Sequence, residues 1–573
     1  MFPSDTLLTP FEKSNGTQTA TYEECISFYK SLEILSDEVK VTDQGVTGIG
    51  KPLHLVIIDK DKNFDVSKTK ANGKRILLIN NGIHPGEPDG IDASMMFARN
   101  LVMDKNLQHL LDHIVFCIIP VYNVAGCLNR STCSRANQNG PEEYGFRGNE
   151  LNLDLNRDFI KCDSREAEIF NKIFTAWKPD FLIDTHVSDG ADYQYTMTYV
   201  ATQPDKLNPV LGEYERNFLI PELNKRMKDA GWPMSPYVET RNETPDEGID
   251  GFLDNPRYST GYAALFNCIG FMSETHMLKP FKDRVQSTYA FIQQLSEIIN
   301  IDFEKMGELK STADSLAISQ TDFPLQWKQS EKDSSMISFN GFAAAYKISD
   351  VTGQQRLYYD ETKPYTKDIP YFDQYKSSVQ VVAPLAYIIP QQYDNVIHLL
   401  QLNGVAMKPI QSDVKIRVVV YYVADYNTNN HAYENHYQHS NTIVSRDTQI
   451  IQFYKGDMLV NVNQTCNRYI VETLEPQAPD SYFNWNFFDG ILMQKEYFSD
   501  YVWEDRADSL LQNNSALMKQ FQQTKMSDTL FATDAAAQLE WIYNHSAYHE
   551  KSFQRYPVAR IEWSLIPKKL NWE

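Results

Sequence analysis

The chain has 573 residues, too many for one ordinary core at about 100–200 residues per domain, so two to four domains are expected. Apolar residues make up 42% and charged residues 23%, which excludes global disorder. With 54 basic against 75 acidic residues the formal charge is −21, which argues against a nucleic-acid or anionic-membrane binder.

No apolar run reaches the roughly 18–20 residues of a membrane span, and Ile114–Val121 is interrupted by Pro120. Met1–Asp5 lacks a basic stretch leading into an apolar one, so no signal peptide is read in this chain. The seven cysteines form no C-x-x-C pair. That argues against a disulfide scaffold or zinc ribbon and leaves one or two bridges open, such as Cys127 with Cys133.

In chain order, residues 22–35 read as an amphipathic helix. Arg75–Asn80 and Ile114–Val121 are short unbroken apolar runs, the pattern of strands buried on both faces. Between them Ile91, Met95, Ala98 and Val102 share one helical face. A further helix is expected from Asp163, with Asp163 and Glu166 as a capping box and Phe170, Ile173, Phe174 and Trp177 buried. Phe181–Val187 and Ile269–Glu274 follow as strands, then a helix carrying Val285, Tyr289, Ile292, Leu295 and Ile299. This alternation predicts an α/β domain over 1–305, a mixed, mostly parallel sheet with helices on both faces. The polar stretch Glu308–Ser319 reads as a linker (306–320). Residues 321–573 read as a mainly β, sandwich-like accessory half with a late helix near Asp534–Asn544.

The sharpest local feature is Asn80-Asn81-Gly82-Ile83-His84-Pro85-Gly86-Glu87, a Gly/Pro-bounded turn straight after a buried strand. Ligands of open α/β sheets gather at such strand ends. An imidazole and a carboxylate three residues apart suit a cation that accepts mixed nitrogen and oxygen ligands, as zinc does. His186, ending the strand FLIDTHV, is the candidate third ligand, with Asp184 as its support. In Leu153-Asp154-Leu155-Asn156-Arg157, Asn156 and Arg157 offer an amide and a guanidinium fork to a planar anion. Glu274, at the end of an apolar strand, has the setting of a general base with a raised pKa.

His84-x-x-Glu87, Arg135-x-Asn137, Asp154-Leu-Asn156-Arg157, His186 and Glu274 follow in the order found in the zinc metallocarboxypeptidases of the carboxypeptidase A type, and residues 20–300 resemble that family. A bacterial-like member with an extra C-terminal domain is the nearest description. The resemblance implies one Zn2+ per chain held by His84, Glu87 and His186, with Glu274 activating water and protonating the leaving amine. It implies that Arg135 stabilises the oxyanion, with Arg147 as second choice. Asn156 and Arg157 would clamp the free C-terminus of a peptide substrate. An ungapped count puts Phe252 where the family has its substrate-binding tyrosine, so Tyr258 is taken for that role, with Tyr262 as the alternative. Action in the periplasm or outside the cell, after removal of a leader, follows from the resemblance, with a cytoplasmic protein left open as the alternative. The oligomeric state is left open.

Three rival readings stand beside this one. The first is a zinc deacylase of N-acyl amino acids, of the aspartoacylase type. The second is a peptidase of peptidoglycan stems, and the third an inactive peptidase fold that binds without turnover. His431, His436 and His439 read as part of a solvated loop. His545 and His549 lack the glutamate that a zincin helix needs, Ser546 standing beside His545.

Overall fold

The four central strands, Arg75–Asn80, Ile114–Ile119, Phe181–Ser188 and Ile269–His276, are almost wholly buried. Such runs are covered on both faces, which is why they show no polar alternation. A computed structural model describes residues 7–565. Met1–Asp5, the segment bearing on a signal peptide, lies outside the described residues.

The strands form one eight-stranded sheet in the order Val39–Val46, Pro52–Ile58, Ile114–Ile119, Arg75–Asn80, Phe181–Ser188, Ile269–His276, Met197–Ala201, Met234–Pro236. The middle four are mutually parallel, and antiparallel strands join on both sides. Helices Tyr22–Leu35, Asp89–Met103 and Phe281–Ile301 pack with one face in a core that includes Leu32, Phe97, Phe116 and Phe291. Arg165–Trp177 covers the other face. Among the described residues no helix is long and apolar enough to cross a membrane.

The second core does not stop at the N-terminal half. Leu78, Val115, Phe170 and Phe174 share it with Tyr387, Leu400, Tyr421, Tyr469, Tyr482 and Trp485. The aromatic stretch 482–488 is therefore mostly core. The C-terminal half adds a six-stranded sheet running Lys408–Pro409, Met458–Asn461, Ala386–Ile389, Ala559–Ile561, Val414–Thr428, His439–Phe453. A long hairpin, Ser335–Ile348 with Gln355–Phe372, pairs with Ile249–Asp250 of the N-terminal half. Helices Asp500–Asn513, Ser515–Ser527 and Ala535–Asn544 enclose a small core of their own around Trp503, Phe521 and Tyr543.

Three local expectations are corrected. The stretch read as a linker is helix Phe303–Ser319, which buries Met306, Ala313 and Ala317; two of these are small, so the apolar stripe is thin enough to pass for a polar loop. The helix expected from Asp163 starts at Arg165 and is capped by Ser164, whose hydroxyl accepts the Ala167 N–H. Cys127 and Cys133 are not bridged: both are free thiols, the first buried and the second exposed.

One buried ion pair ties the sheet ends to the helices. Arg284 is fully buried and donates to Asp89 (2.9 Å) and to the carbonyls of Asn139, Gly140 and Lys279. Asp89 in turn accepts from Thr275, the neighbour of Glu274. Removing one partner of such a pair strands a buried charge, so Arg284→Met is expected to lower the unfolding free energy by about 3–5 kcal/mol, read from urea midpoints.

Candidate active site

The turn after Arg75–Asn80 needs its glycines. Gly82 sits at φ +65°, in the left-handed region, and a Cβ on Gly86 would lie 2.8 Å from the Arg135 side chain and 3.1 Å from a carbonyl oxygen. With no Cβ there, Arg135 reaches Glu87. The Glu87 N–H donates to the His84 carbonyl at 2.8 Å, closing the turn and placing both side chains on one side. The third donor comes from sheet register. His186 pairs across the parallel ladder with Glu274, so the two side chains leave the same face as direct neighbours.

These elements bring together one ligand atom each from His84, Glu87 and His186, all within 4.8 Å of one another and all three residues buried. Nδ1 of His84 and Nδ1 of His186 lie 3.4 and 3.3 Å from Glu87 Oε2. The opposite nitrogens are held by carboxylates: His84 Nε2 by Asp154 (2.8 Å) and His186 Nε2 by Asp184 (3.0 Å). Asp184 is itself held by the Asn80 amide at 3.1 Å. A carboxylate on one ring nitrogen fixes the tautomer and leaves the other lone pair for a cation. Two such imidazoles and a carboxylate fit zinc in both donor type and number. Zinc at about a hundredfold over its Kd is expected to add about 2.7 kcal/mol to stability. Thermal melts with and without zinc measure this, and His186→Ala should abolish the gain.

The charges around the donors are coupled. Burial works to raise the Glu87 carboxyl, but Arg135 and the two histidines outweigh it and hold it well below the usual range. Burial works to lower the His186 imidazole, yet Asp184, Glu87 and Glu274 outweigh it and hold its pKa well above the usual histidine value; a metal ion would displace the added proton. Glu274 is pushed up to about 7, first by burial and then by the charges of Glu87 and Asp184, against the pull of His186 and His84.

The eight residues given first-choice catalytic, substrate-binding or metal roles from the sequence line one cavity of about 440 Å3: His84, Glu87, Arg135, Asn156, Arg157, His186, Tyr258 and Glu274. Asn156 is buried with its Oδ1 unpartnered. Arg157 spends one nitrogen on the Asn156 carbonyl (2.9 Å) and lies 4.6 Å over the Tyr258 ring. The alternative tyrosine is elsewhere: Tyr262 is fully buried and donates to Asn403. Phe252 also lines the cavity, edge-on to Tyr258.

Arg135 donates to Glu87 Oε1 at 2.6 Å and to the Val187 carbonyl at 3.2 Å. Arg147 takes a larger share of the site than its second place in the sequence suggests. It pairs with Asp154 at 2.8 Å and approaches Glu87 at 3.4 Å. The role of Asp154 as partner of His84 escaped the sequence; its signal was an acid just ahead of the Asn-Arg pair. His436 bonds Asp163, and His439 lies between Thr428 and Asp489, so these histidines hold loops of the C-terminal half in place.

Residues 26–180 match the family model described as zinc carboxypeptidase, so the N-terminal half carries a domain of that type. The matched segment contains His84, Glu87, Arg135, Asn156 and Arg157; His186 and Glu274 lie beyond it, and their placement rests on the geometry above. No curated protein matches the chain significantly. Similar solved structures include a metallo-carboxypeptidase from Burkholderia cenocepacia at 16% identity, covering 49% of this chain and 70% of that one (TM-score 0.37). Another is a metallo-carboxypeptidase from Pseudomonas aeruginosa in complex with (2-guanidinoethylmercapto)succinic acid, at 15% identity, 50% and 70% coverage and TM-score 0.37. Carboxypeptidase A from Helicoverpa armigera is similar at 14% identity, with 51% and 74% coverage and TM-score 0.35. Likenesses this distant carry no residue roles.

Proposed function

We propose that this chain, as a protein with a zinc carboxypeptidase domain, removes residues from the free C-terminus of peptides. One observation carries the reading: a single cavity is lined by the metal-donor group, by Glu274 and by the Asn156–Arg157 pair. A peptide entering by its C-terminus would set its carboxylate on Arg157 and on the donating Nδ2 of Asn156, which here lies 3.9 Å from Met272 Sδ, with the Tyr258 ring beneath the guanidinium. Binding at that end fixes the last peptide bond near Glu274 and orients it for attack.

His84, Glu87 and His186 would hold the zinc, which when bound supplies Lewis acidity and makes water a stronger acid. Glu274 takes the proton of the attacking water and returns it to the leaving amine; burial raises its carboxyl and so favours the return step. Arg135 keeps a fixed positive charge at the cavity wall, held by Glu87 and Val187, where negative charge develops on the carbonyl oxygen. Asp154 and Asp184 keep the two imidazoles oriented.

The test is a pair of peptides of one sequence, one with a free C-terminus and one amidated, followed by mass. Stepwise shortening of the free form alone is expected, and a chelator should stop it. Shortening of both forms would mean endopeptidase action. Turnover of N-acyl amino acids only would move the reading to a deacylase.

A further inference from the structure

The C-terminal half reaches a loop bordering the candidate active site through the side chain of Glu434. Tyr433, Glu434, Asn435 and His436 form a two-residue reverse turn, with Tyr433 N–H donating to the His436 carbonyl at 2.7 Å and His436 N–H to the Tyr433 carbonyl at 3.0 Å. Both central residues are left-handed, Glu434 at φ +48° and Asn435 at +69°. Asparagine tolerates this conformation; glutamate does so poorly, because its Cβ crowds the following carbonyl. Strain of this kind persists where the surroundings demand the side chain.

What the side chain meets here is Asp154. Glu434 Oε2 accepts the Asp154 N–H at 2.8 Å, 280 residues away along the chain. Asp154 is the junction of the site. Its Oδ1 takes bonds from His84 Nε2 and from the Asn156 N–H, both at 2.8 Å, and its Oδ2 pairs with Arg147. Fixing the Asp154 backbone therefore fixes the loop that carries Asn156 and Arg157. The loop on the other side of the Arg157 guanidinium is tied to the same half. Arg257, next to Tyr258, donates through both its N–H and its Nε to Asp480 at 2.8 Å, and through Nη1 to Gln438 at 3.3 Å.

We infer that Glu434 is a positioning residue for substrate carboxylate binding: it holds the Asp154–Arg157 loop, and through it the C-terminal half completes the carboxylate pocket of the catalytic half. The inference rests on the carboxypeptidase reading and deepens it. A mere structural tie is the competing account, and the strained backbone separates the two. Glycine at 434 relieves the left-handed strain while deleting the acceptor, so it offsets the lost bond in stability but not in substrate binding.

The experiment uses the full-length, zinc-loaded protein with the free-acid and amidated peptides. Glu434→Gly is expected to keep the wild-type urea midpoint and one zinc per chain, while KM for the free-acid peptide rises about tenfold and kcat stays within twofold. Glu434→Gln keeps an acceptor oxygen and is expected to bring KM back to within about twofold of wild type. An unchanged KM in Glu434→Gly, with wild type selective for the free acid, overturns the inference and leaves the carboxypeptidase reading standing. Loss of zinc or of stability in that variant, with kcat falling alongside, overturns it in favour of a structural tie. Wild-type protein that cleaves both peptides alike overturns the reading itself, and the inference with it.

Discussion

Glu274→Gln is expected to lower kcat by about 10²–10⁴-fold while zinc content and the urea midpoint stay at wild-type values. The amide keeps the volume and polarity of the side chain, so the Ile269–His276 strand and its pairing with His186 are undisturbed. What is lost is a group able to take a proton and give it back. The pH dependence follows from its surroundings. Without metal the carboxyl lies at about 7, through burial and the charges of Glu87 and Asp184. A bound dication favours the ionised form and lowers that value. The base acts when deprotonated, so kcat/KM should rise with pH through the Glu274 pKa, with an acid limb below 7. In Glu274→Gln the residual rate should lose that limb. A loss smaller than tenfold with the limb intact would remove Glu274 from proton transfer.

The parts of this site that the sequence reveals are those fixed by local chemistry. A short unbroken apolar run such as Ile76–Ile79 has the pattern of a covered strand, and a Gly/Pro turn straight after it displays polar residues at the strand end. His84, Glu87, His186 and Glu274 are legible as polar residues at such strand ends, their roles being implied by the resemblance of their order to the zinc metallocarboxypeptidases, and Asp184 is legible as the acid two residues before a strand-end histidine. Contacts between distant segments leave no such mark. Glu434 lies in an Asn- and Tyr-rich stretch with no period, and nothing local ties it to Asp154. Asp480 is equally silent as partner of Arg257. The helix Phe303–Ser319 was hidden by its own composition, since alanines bury little area and leave a weak stripe.

The same physics explains why the accessory half does not behave as a detached module in the structure. A half that were independent would close its own core. Instead Tyr469, Tyr482 and Trp485 fill the space against Phe170 and Phe174 of the catalytic half. The loops above that shared core are the ones bearing Arg157 and Tyr258. Burial of large aromatics supplies the stability, and the polar ties through Glu434 and Asp480 convert it into a fixed distance between two loops.

Those loops set the second large effect. Arg157→Met is expected to lower kcat/KM for free-acid peptides by about 30–150-fold, the equivalent of roughly 2–3 kcal/mol for an unpaired carboxylate in a partly closed site. The loss should fall mainly on KM, because the carboxylate is bound equally in the ground and transition states. Amidated peptides, which have no charge for Arg157 to meet, should be turned over no worse than by wild type, so the preference for a free C-terminus collapses. Methionine keeps much of the length of the stem and removes the guanidinium, and with it both the fork and the contact with the Tyr258 ring. Tyr258→Phe isolates the hydroxyl and should cost less than tenfold, since the guanidinium contacts the face of the ring. An Arg157→Met enzyme that kept its preference would mean that another cation holds the carboxylate. Arg147, half-exposed at the same cavity and shared between Asp154 and Glu87, would then be the group to replace.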